Sequence, residues 1–449
     1  MNAKELKEAF AEHGIRRVKV GGYDVDGILR GKYLALDKFW GALEEPIGFC
    51  DVIFGWDAAD VLYDNARVTG WHTGYPDTRA RIDPSTFRVL PWEPHTAAFL
   101  MDFVLDDGSP HPACPRGLLK NVIARARALG FEPVLAAEFE FFVFRETPAS
   151  LHAKGFRGLE PLSPGMFGYS WLREGQHADL CHAILDDMGA FGIPIEGLHT
   201  ETGPGVYEVA IRYDDALRAA DKAALFKTAM KVVASRLDCS VTFMAKWNRD
   251  LPGSSGHVHQ SLWRHQENAF YDAGADGRLS TVATQYLAGQ LTLMPELTAL
   301  ISPTVNSYKR YVPGVWAPLN ASWGVENRTC AIRAIPGSAK STRLEHRQTA
   351  ADINPYVAMA TLLAAGLWGI EQKKAAPPPV QGDASERTDL APLPRTLREA
   401  TERLDKSQHA KALLGAAFVD HYVRTRDWEA RQYERAVTEW ELARYFEAI

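Results

Sequence analysis

The sequence predicts an α+β fold in two unequal domains, residues 1–107 and 108–449. Three observations predict it. At 449 residues the chain is longer than one core normally serves, since domains run to roughly 100–200 residues. The segment DDGSPHPACP (106–115) carries one glycine and three prolines, enough to interrupt any regular element. Strand-like and helix-like runs alternate irregularly on both sides of it, without an internal repeat.

Residues 4–13 have the spacing of a short helix. Strands are expected at Val18–Val20 and Tyr23–Leu29, around a turn at Gly21–Gly22, and again at Ala97–Leu105. After the linker a helical run covers Arg116–Leu129. Strands at Pro133–Phe144, Val206–Tyr213, Val258–Trp263 and Cys330–Ile335 then mix with helices at Gln176–Phe191, Ala216–Leu237, Val282–Leu300 and Pro355–Gln372. Residues 375–394 are rich in proline and charge and read as a surface loop; the tail from Leu397 reads as helical.

Composition narrows the function. Hydrophobic residues make up 46% and charged residues 24%, a globular balance, with a net charge of −6. No basic cluster suggests nucleic acid or a membrane surface. No apolar run reaches 18 residues, and the N-terminal MNAKELKEAFAEHGIRRVKV has no apolar h-region. Five scattered cysteines (Cys50, Cys114, Cys181, Cys239, Cys330) form no CxxC pair, which points to a reducing, cytoplasmic setting.

Four segments carry candidate chemistry. In AAEFEFFVF (136–144), Glu138 and Glu140 share one face of an apolar strand. That is either an edge strand with a wet face or a metal site, because buried unpaired carboxylates are costly. In ETGPGVYEVAI (201–211), Glu201 and Glu208 flank a Gly-Pro-Gly turn; a solvated hairpin is the plain alternative. In SGHVHQSLW (255–263), His257 and His259 share a strand face, suited to a metal or to packing. In STRLEHRQTAADINPY (341–356), Glu345 and Arg347 share a face, while Arg328, Arg333, Lys309 and Arg310 add positive charge nearby in sequence. Five glutamates and a histidine suit Mg²⁺ or Mn²⁺ better than zinc, and phosphoryl transfer combines such metals with guanidinium groups.

In this order, EFEFFVF, ETGPGVYE, GHVHQSL, YKRYVPG, NRTCAIR and RLEHR…NPY resemble the motifs of the glutamine synthetase superfamily, and in particular its γ-glutamyl-amine branch of polyamine, monoamine and anilide synthetases. The resemblance spans the chain and is strongest from about residue 130 to 372. It implies a β-grasp-like N-terminal domain and a catalytic domain with a curved antiparallel sheet flanked by helices. It implies ATP as a substrate, two or three Mg²⁺ (or Mn²⁺) ions, glutamate and an amine, and a homo-oligomer, a hexameric ring or a dodecamer, with active sites between subunits. By resemblance Glu140, Glu201 and Glu208 hold the metal on the glutamate side, and Glu138, His257 and Glu345 the metal on the ATP side. Gly253, Arg310, Arg328 and Arg347 match glutamate-binding positions, with Arg328 also acting on the γ-glutamyl phosphate. Ser261, Arg333, Lys340 and Arg343 match positions near ATP, and Asp51 matches the group that deprotonates the amine in the neighbouring subunit's site.

The departures bear on the second substrate. Ammonia-using members carry Asp-Gly-Ser-Ser where this chain has Asp51-Val52-Ile53-Phe54, and a flap glutamate where it has Trp316. Pro252 replaces an asparagine, and residues 375–394 offer no match to the tyrosine adenylylated in some bacterial members. Acceptors are thus exchanged for apolar area, and Phe54, Trp56 and Trp316 are expected to line a pocket for an organic amine. An alkyl or aromatic monoamine is the first candidate and a polyamine the second. Ammonia, or a non-catalytic scaffold, are the alternatives.

Overall fold

The computed structural model describes residues 1–449, with every side chain except that of Asp276. The N-terminal sheet runs, in spatial order, Leu29–Leu34, Arg17–Tyr23, Thr96–Val104, Asp77–Ile82 and Ile47–Cys50. Its two middle strands, Arg17–Tyr23 and Thr96–Val104, are parallel, and the helices Ala3–Glu12 and Leu36–Glu44 supply Leu6, Phe10 and Phe39 to its core.

The expected turn at Gly21–Gly22 is not there. Arg17–Tyr23 is one continuous strand paired from Val18 to Tyr23, and the chain reverses instead over residues 24–28. A Cβ on Gly22 would lie within 2.4 Å of the Phe103 ring. The glycine makes room for an aromatic core residue rather than for a bend.

The N-terminal sheet ends at Val104, and the next helix begins at Pro115. The large domain is built on a ten-stranded sheet. Its main path runs Trp323–Val325, Ile332–Ile335, Arg343–His346, Val258–Arg264, Glu132–Phe144, Val206–Ile211 and Ile195–Thr200. All neighbours on that path are antiparallel except the first two. Helices Ala216–Ser235, Pro355–Glu371, Thr281–Ile301 and Pro115–Ala128 carry most of the buried side chains behind it. The expected helix Gln176–Phe191 is found at Ala178–Ala190, and a short helix, Trp171–Gln176, precedes it across His177. Residues 375–394 contain only one short 3₁₀ turn, yet Val380 and Ala384 are buried against Cys330.

Arg116 ties the N-terminal sheet to the helix Ala216–Ser235. Its guanidinium bonds Asp221 through Nε at 2.8 Å, Asp102 through Nη1 at 2.8 Å and Asp83 through Nη2 at 2.9 Å. The Tyr356 hydroxyl donates to Asp221 at 2.6 Å, and Lys120 pairs with Asp102. No described helix is long and apolar enough to cross a membrane.

Candidate active site

The strand Glu132–Phe144 alternates from Glu132 to Phe141 and is buried on both faces beyond that. Phe139 and Phe141 are buried and pack on Phe226 of the helix Ala216–Ser235, which leaves Glu138 and Glu140 on the opposite face. On the neighbouring strand Tyr207, Val209 and Ile211 take the buried side, so Glu208 turns the same way and stands directly opposite Glu140. The partner on the other side adds His257 and His259, and the next strand adds Glu345 opposite His259. Glu201 follows the strand Ile195–Thr200 and stays close through His199. Five glutamates that are far apart in sequence therefore share one face.

The distances are short. His257 Nδ1 lies 2.6 Å from Glu138 and 3.3 Å from Glu345; His259 Nε2 lies 3.2 Å from Glu138. His199 Nε2 lies 3.1 Å from Glu201 and 3.5 Å from Glu208. Glu140 accepts the Ser255 N–H at 2.6 Å.

Like charges this close, and buried, distort the titration. Burial, with Glu138, Glu140, Glu201 and Glu345 adding to it, pushes the Glu208 carboxyl up to about 10. Burial also raises Glu140. For Glu138 burial acts upward, but His259 and His257 outweigh it and hold the group well below the usual range. Glu345 is lowered against the same burial by His257 and Arg347, and Glu201 is lowered by its bond to His199.

These residues fit a hard divalent cation. Three overlapping groups bring donor atoms together: Glu138, Glu208 and His257; Glu138, His259 and Glu345; His199, Glu201 and Glu208. The Nε2 of buried His257 has no hydrogen-bond partner. Oxygen-rich donors with imidazole and no thiolate match Mg²⁺ or Mn²⁺.

Beside this floor a cleft of about 300 Å³ is lined by Glu138, His259, Ser261, Lys340 and Arg343 among others. The structure thus brings Ser261, Lys340 and Arg343 to one place. Arg343 Nε donates to His259 Nδ1 at 3.2 Å. Arg333 bridges Glu326 and Glu345, the latter at 3.1 Å. Arg347 meets Glu345 at 2.5 Å and donates to the Arg328 carbonyl at 3.1 Å.

Arg310 is buried with no ion-pair partner among the described residues, and its donors go to Gln348 O, Ser255 Oγ and Arg347 O at 2.9–3.2 Å. Next to it a Cβ on Gly253 would lie 2.6 Å from the Ala245 carbonyl and 3.0 Å from Arg310, so only glycine fits.

Other expected residues lie elsewhere. Asp51 is buried in the N-terminal domain, accepts the Thr69 hydroxyl at 2.6 Å, and is raised by that burial. Its side chain does not join the carboxylate floor of its own chain.

Within one chain the three aromatic residues stand apart from one another. Phe54 is 0% exposed, stacked on His111 at 4.7 Å and edge-on to Phe103 at 5.2 Å, so its faces are spent on the core. Trp56 is half-buried with the Arg30 guanidinium 5.0 Å above it. Trp316 is 69% exposed and lines a groove of about 620 Å³ shared with Arg328 and Glu326.

Three participants were missing from the expected set. His199 and Glu201 sit two apart along one extended segment, the same signal that marked Glu138 and Glu140. His259, paired with His257 along the strand, is itself a donor beside Glu138 and Glu345. Tyr169 stacks on His199 at 4.4 Å, and its backbone, at φ +54°, is pinned by its N–H to Thr200 O at 2.7 Å. No local pattern marks it.

Comparison with known proteins matches residues 112–445 to the glutamine synthetase catalytic domain. The chain is similar to type-1 glutamine synthetase 2 of Dictyostelium discoideum, 49% identical over 438 residues, covering 96% of this chain and 84% of that one. It is similar to glutamate–isopropylamine ligase of a Pseudomonas species, 37% identical over 449 residues, covering 99% and 98%. A solved structure of GmaS in complex with ADP superimposes with a TM-score of 0.86 at 28% identity, over 98% of this chain and 99% of that one.

Proposed function

The chain belongs to the glutamine synthetase family, and on that premise we propose that it is a ligase joining the γ-carboxylate of glutamate to an organic amine at the expense of ATP. A γ-carboxylate oxygen attacks the γ-phosphorus of ATP and ADP leaves; the amine nitrogen then attacks the acyl carbon and phosphate leaves. Bound Mg²⁺ or Mn²⁺, two or three ions on Glu138, Glu140, Glu201, Glu208, His257 and Glu345, supplies neutralisation of phosphate charge. Arg333 and Arg328 face the phosphoryl group and the acyl phosphate, Ser261, Lys340 and Arg343 hold the nucleotide, and Gly253, Arg310 and Arg347 shape the glutamate pocket. Asp51 takes the amine's proton in a neighbouring copy's site, which makes the working form a homo-oligomer, a hexameric ring or a dodecamer.

One observation carries the amine reading. An exposed indole, Trp316, shares a groove with Arg328, at the position where the family resemblance implies a flap glutamate in ammonia-using members. Ammonium needs acceptors, whereas an alkyl amine gains about 0.8 kcal/mol per buried methylene. The isopropylamine ligase among the relatives supports a small alkyl amine. Ammonia is the second reading, favoured by the relative that is 49% identical and named a glutamine synthetase.

The test is kcat/KM for ammonia against alkyl, aryl and polyamine substrates at saturating ATP and glutamate. An alkyl monoamine is expected to lead, and Trp316→Glu to move the ratio toward ammonia by about tenfold. Ammonia leading the whole panel would assign glutamine synthesis instead. Mixing Asp51→Asn with Glu345→Ala chains is expected to restore activity through hybrid sites; a fully active monomer would remove the shared site.

A further inference from the structure

Between the N-terminal sheet and the helix Ala216–Ser235 lies a second cleft, of about 290 Å³, away from the glutamates. Its wall is apolar, formed by Leu90, Trp92, Phe99, Phe191, Leu225 and Val232. Trp92 and Phe191 meet at 4.9 Å.

A guanidinium is set in this wall without an anion. Arg88 Nη1 donates to the Phe191 and Gly192 carbonyls at 2.9 Å each, while its buried Nε has no partner. Among the described residues it forms no ion pair; Asp221, the acid that acts most strongly on it, is already bound to Arg116. The acid at the rim is also engaged, because Glu93 pairs with Lys19 and accepts the Tyr33 hydroxyl at 2.6 Å. Lys32, bonded only to the Gly48 carbonyl, adds positive charge there.

A desolvated guanidinium is stabilised by an anion, and its planar fork matches a carboxylate. The size is at the lower end of small-ligand pockets, which span roughly 300–1,000 Å³. We propose that this cleft binds a small organic carboxylate, with the carboxyl on Arg88 and the hydrocarbon between Trp92, Phe191 and the helix. The helix separates this ligand from the catalytic floor: Thr228 and Val232 face the cleft, and Phe226 packs behind Glu138 and Glu140.

Calorimetry on the full-length oligomer tests the site with hexanoate and phenylacetate, using phenylacetamide as the neutral counterpart. Both carboxylates are expected to bind once per chain, with the amide weaker by about tenfold or more. Arg88→Gln, and separately Thr228→Phe, which fills the cleft and leaves the arginine in place, should each weaken carboxylate binding by a similar factor. Saturating glutamate and ATP should leave it unchanged. The proposal is overturned if neither acid binds at millimolar concentration, if acid and amide bind alike, if binding survives both variants, or if glutamate displaces it. A carboxylate side chain of a neighbouring copy seated on Arg88 in the assembled protein overturns it too.

Discussion

Two buried clusters of acids behave in opposite ways. Around Arg116, three aspartates surround one guanidinium, every donor nitrogen has a carboxylate oxygen within 3.0 Å, and Tyr356 and Lys120 add further bonds. On the catalytic floor five glutamates have, among the described residues, only two guanidinium partners, both on Glu345; one glutamate is pushed up to about 10, and an imidazole nitrogen has no partner. The first cluster is complete as it stands and binds the N-terminal sheet to the helix Ala216–Ser235. The second leaves donor atoms free for a cation. Buried charge that is matched builds structure, and buried charge that is unmatched marks a place for a ligand.

The contrast breaks most visibly at its structural pole. Arg116→Met leaves Asp83, Asp102 and Asp221 buried around a vacancy and is expected to cost about 3–5 kcal/mol, read from the urea midpoint. A loss below about 1 kcal/mol would show that this centre is no lock.

The catalytic pole should respond the other way. Glu140→Ala is expected to lower kcat/KM by about a hundredfold or more. In chelator it should melt no lower than the parent, because it removes a buried carboxyl whose charged form burial disfavours. Its Tm should also lose the rise that Mg²⁺ gives the parent. A variant that unfolds in chelator while still gaining stability from Mg²⁺ would place Glu140 in the wrong class.

The smallest effect sharpens the line between an orphan group and a site. His421 is fully buried, neither ring nitrogen has a partner, and no cluster of donors faces it. Burial holds it down to about 3, and His111 close by to about 4, from 6.5. A depressed histidine means that the unfolded chain binds the extra proton first. The stability it gives is present above pH 6.5 and is lost as pH falls toward the folded values. His421→Leu should therefore flatten the acid limb of the stability–pH profile with little change at pH 7. An unchanged acid limb assigns that limb to other groups.

Much of the floor was legible because strand periodicity alone sets which way a side chain turns. Glu138 and Glu140 are two apart, and the phenylalanines between and after them say which face is core. Six motifs in order did the rest for Glu201, Glu208, His257 and Glu345. The failures have one cause, that a local signal cannot see a distant partner. Gly21–Gly22 reads as a turn until Phe103 fills the space beside Gly22. Phe54 reads as a pocket wall until His111 and Phe103 take its faces. Tyr169 reaches the site only because a loop is pinned to Thr200.

The Arg116 seam has a consequence for how substrates arrive. A hinge opening between the domains would strip Asp83 and Asp102 from their guanidinium and expose the Asn354 side chain's bonds to the carbonyls of Asp24 and Val25. That penalty is several kcal/mol, paid on every turnover. Opening along that seam is therefore disfavoured, and access to the catalytic floor is expected through short local segments instead. The loop that carries Tyr169 and the exposed segment around Trp316 flank that floor and are free of the seam.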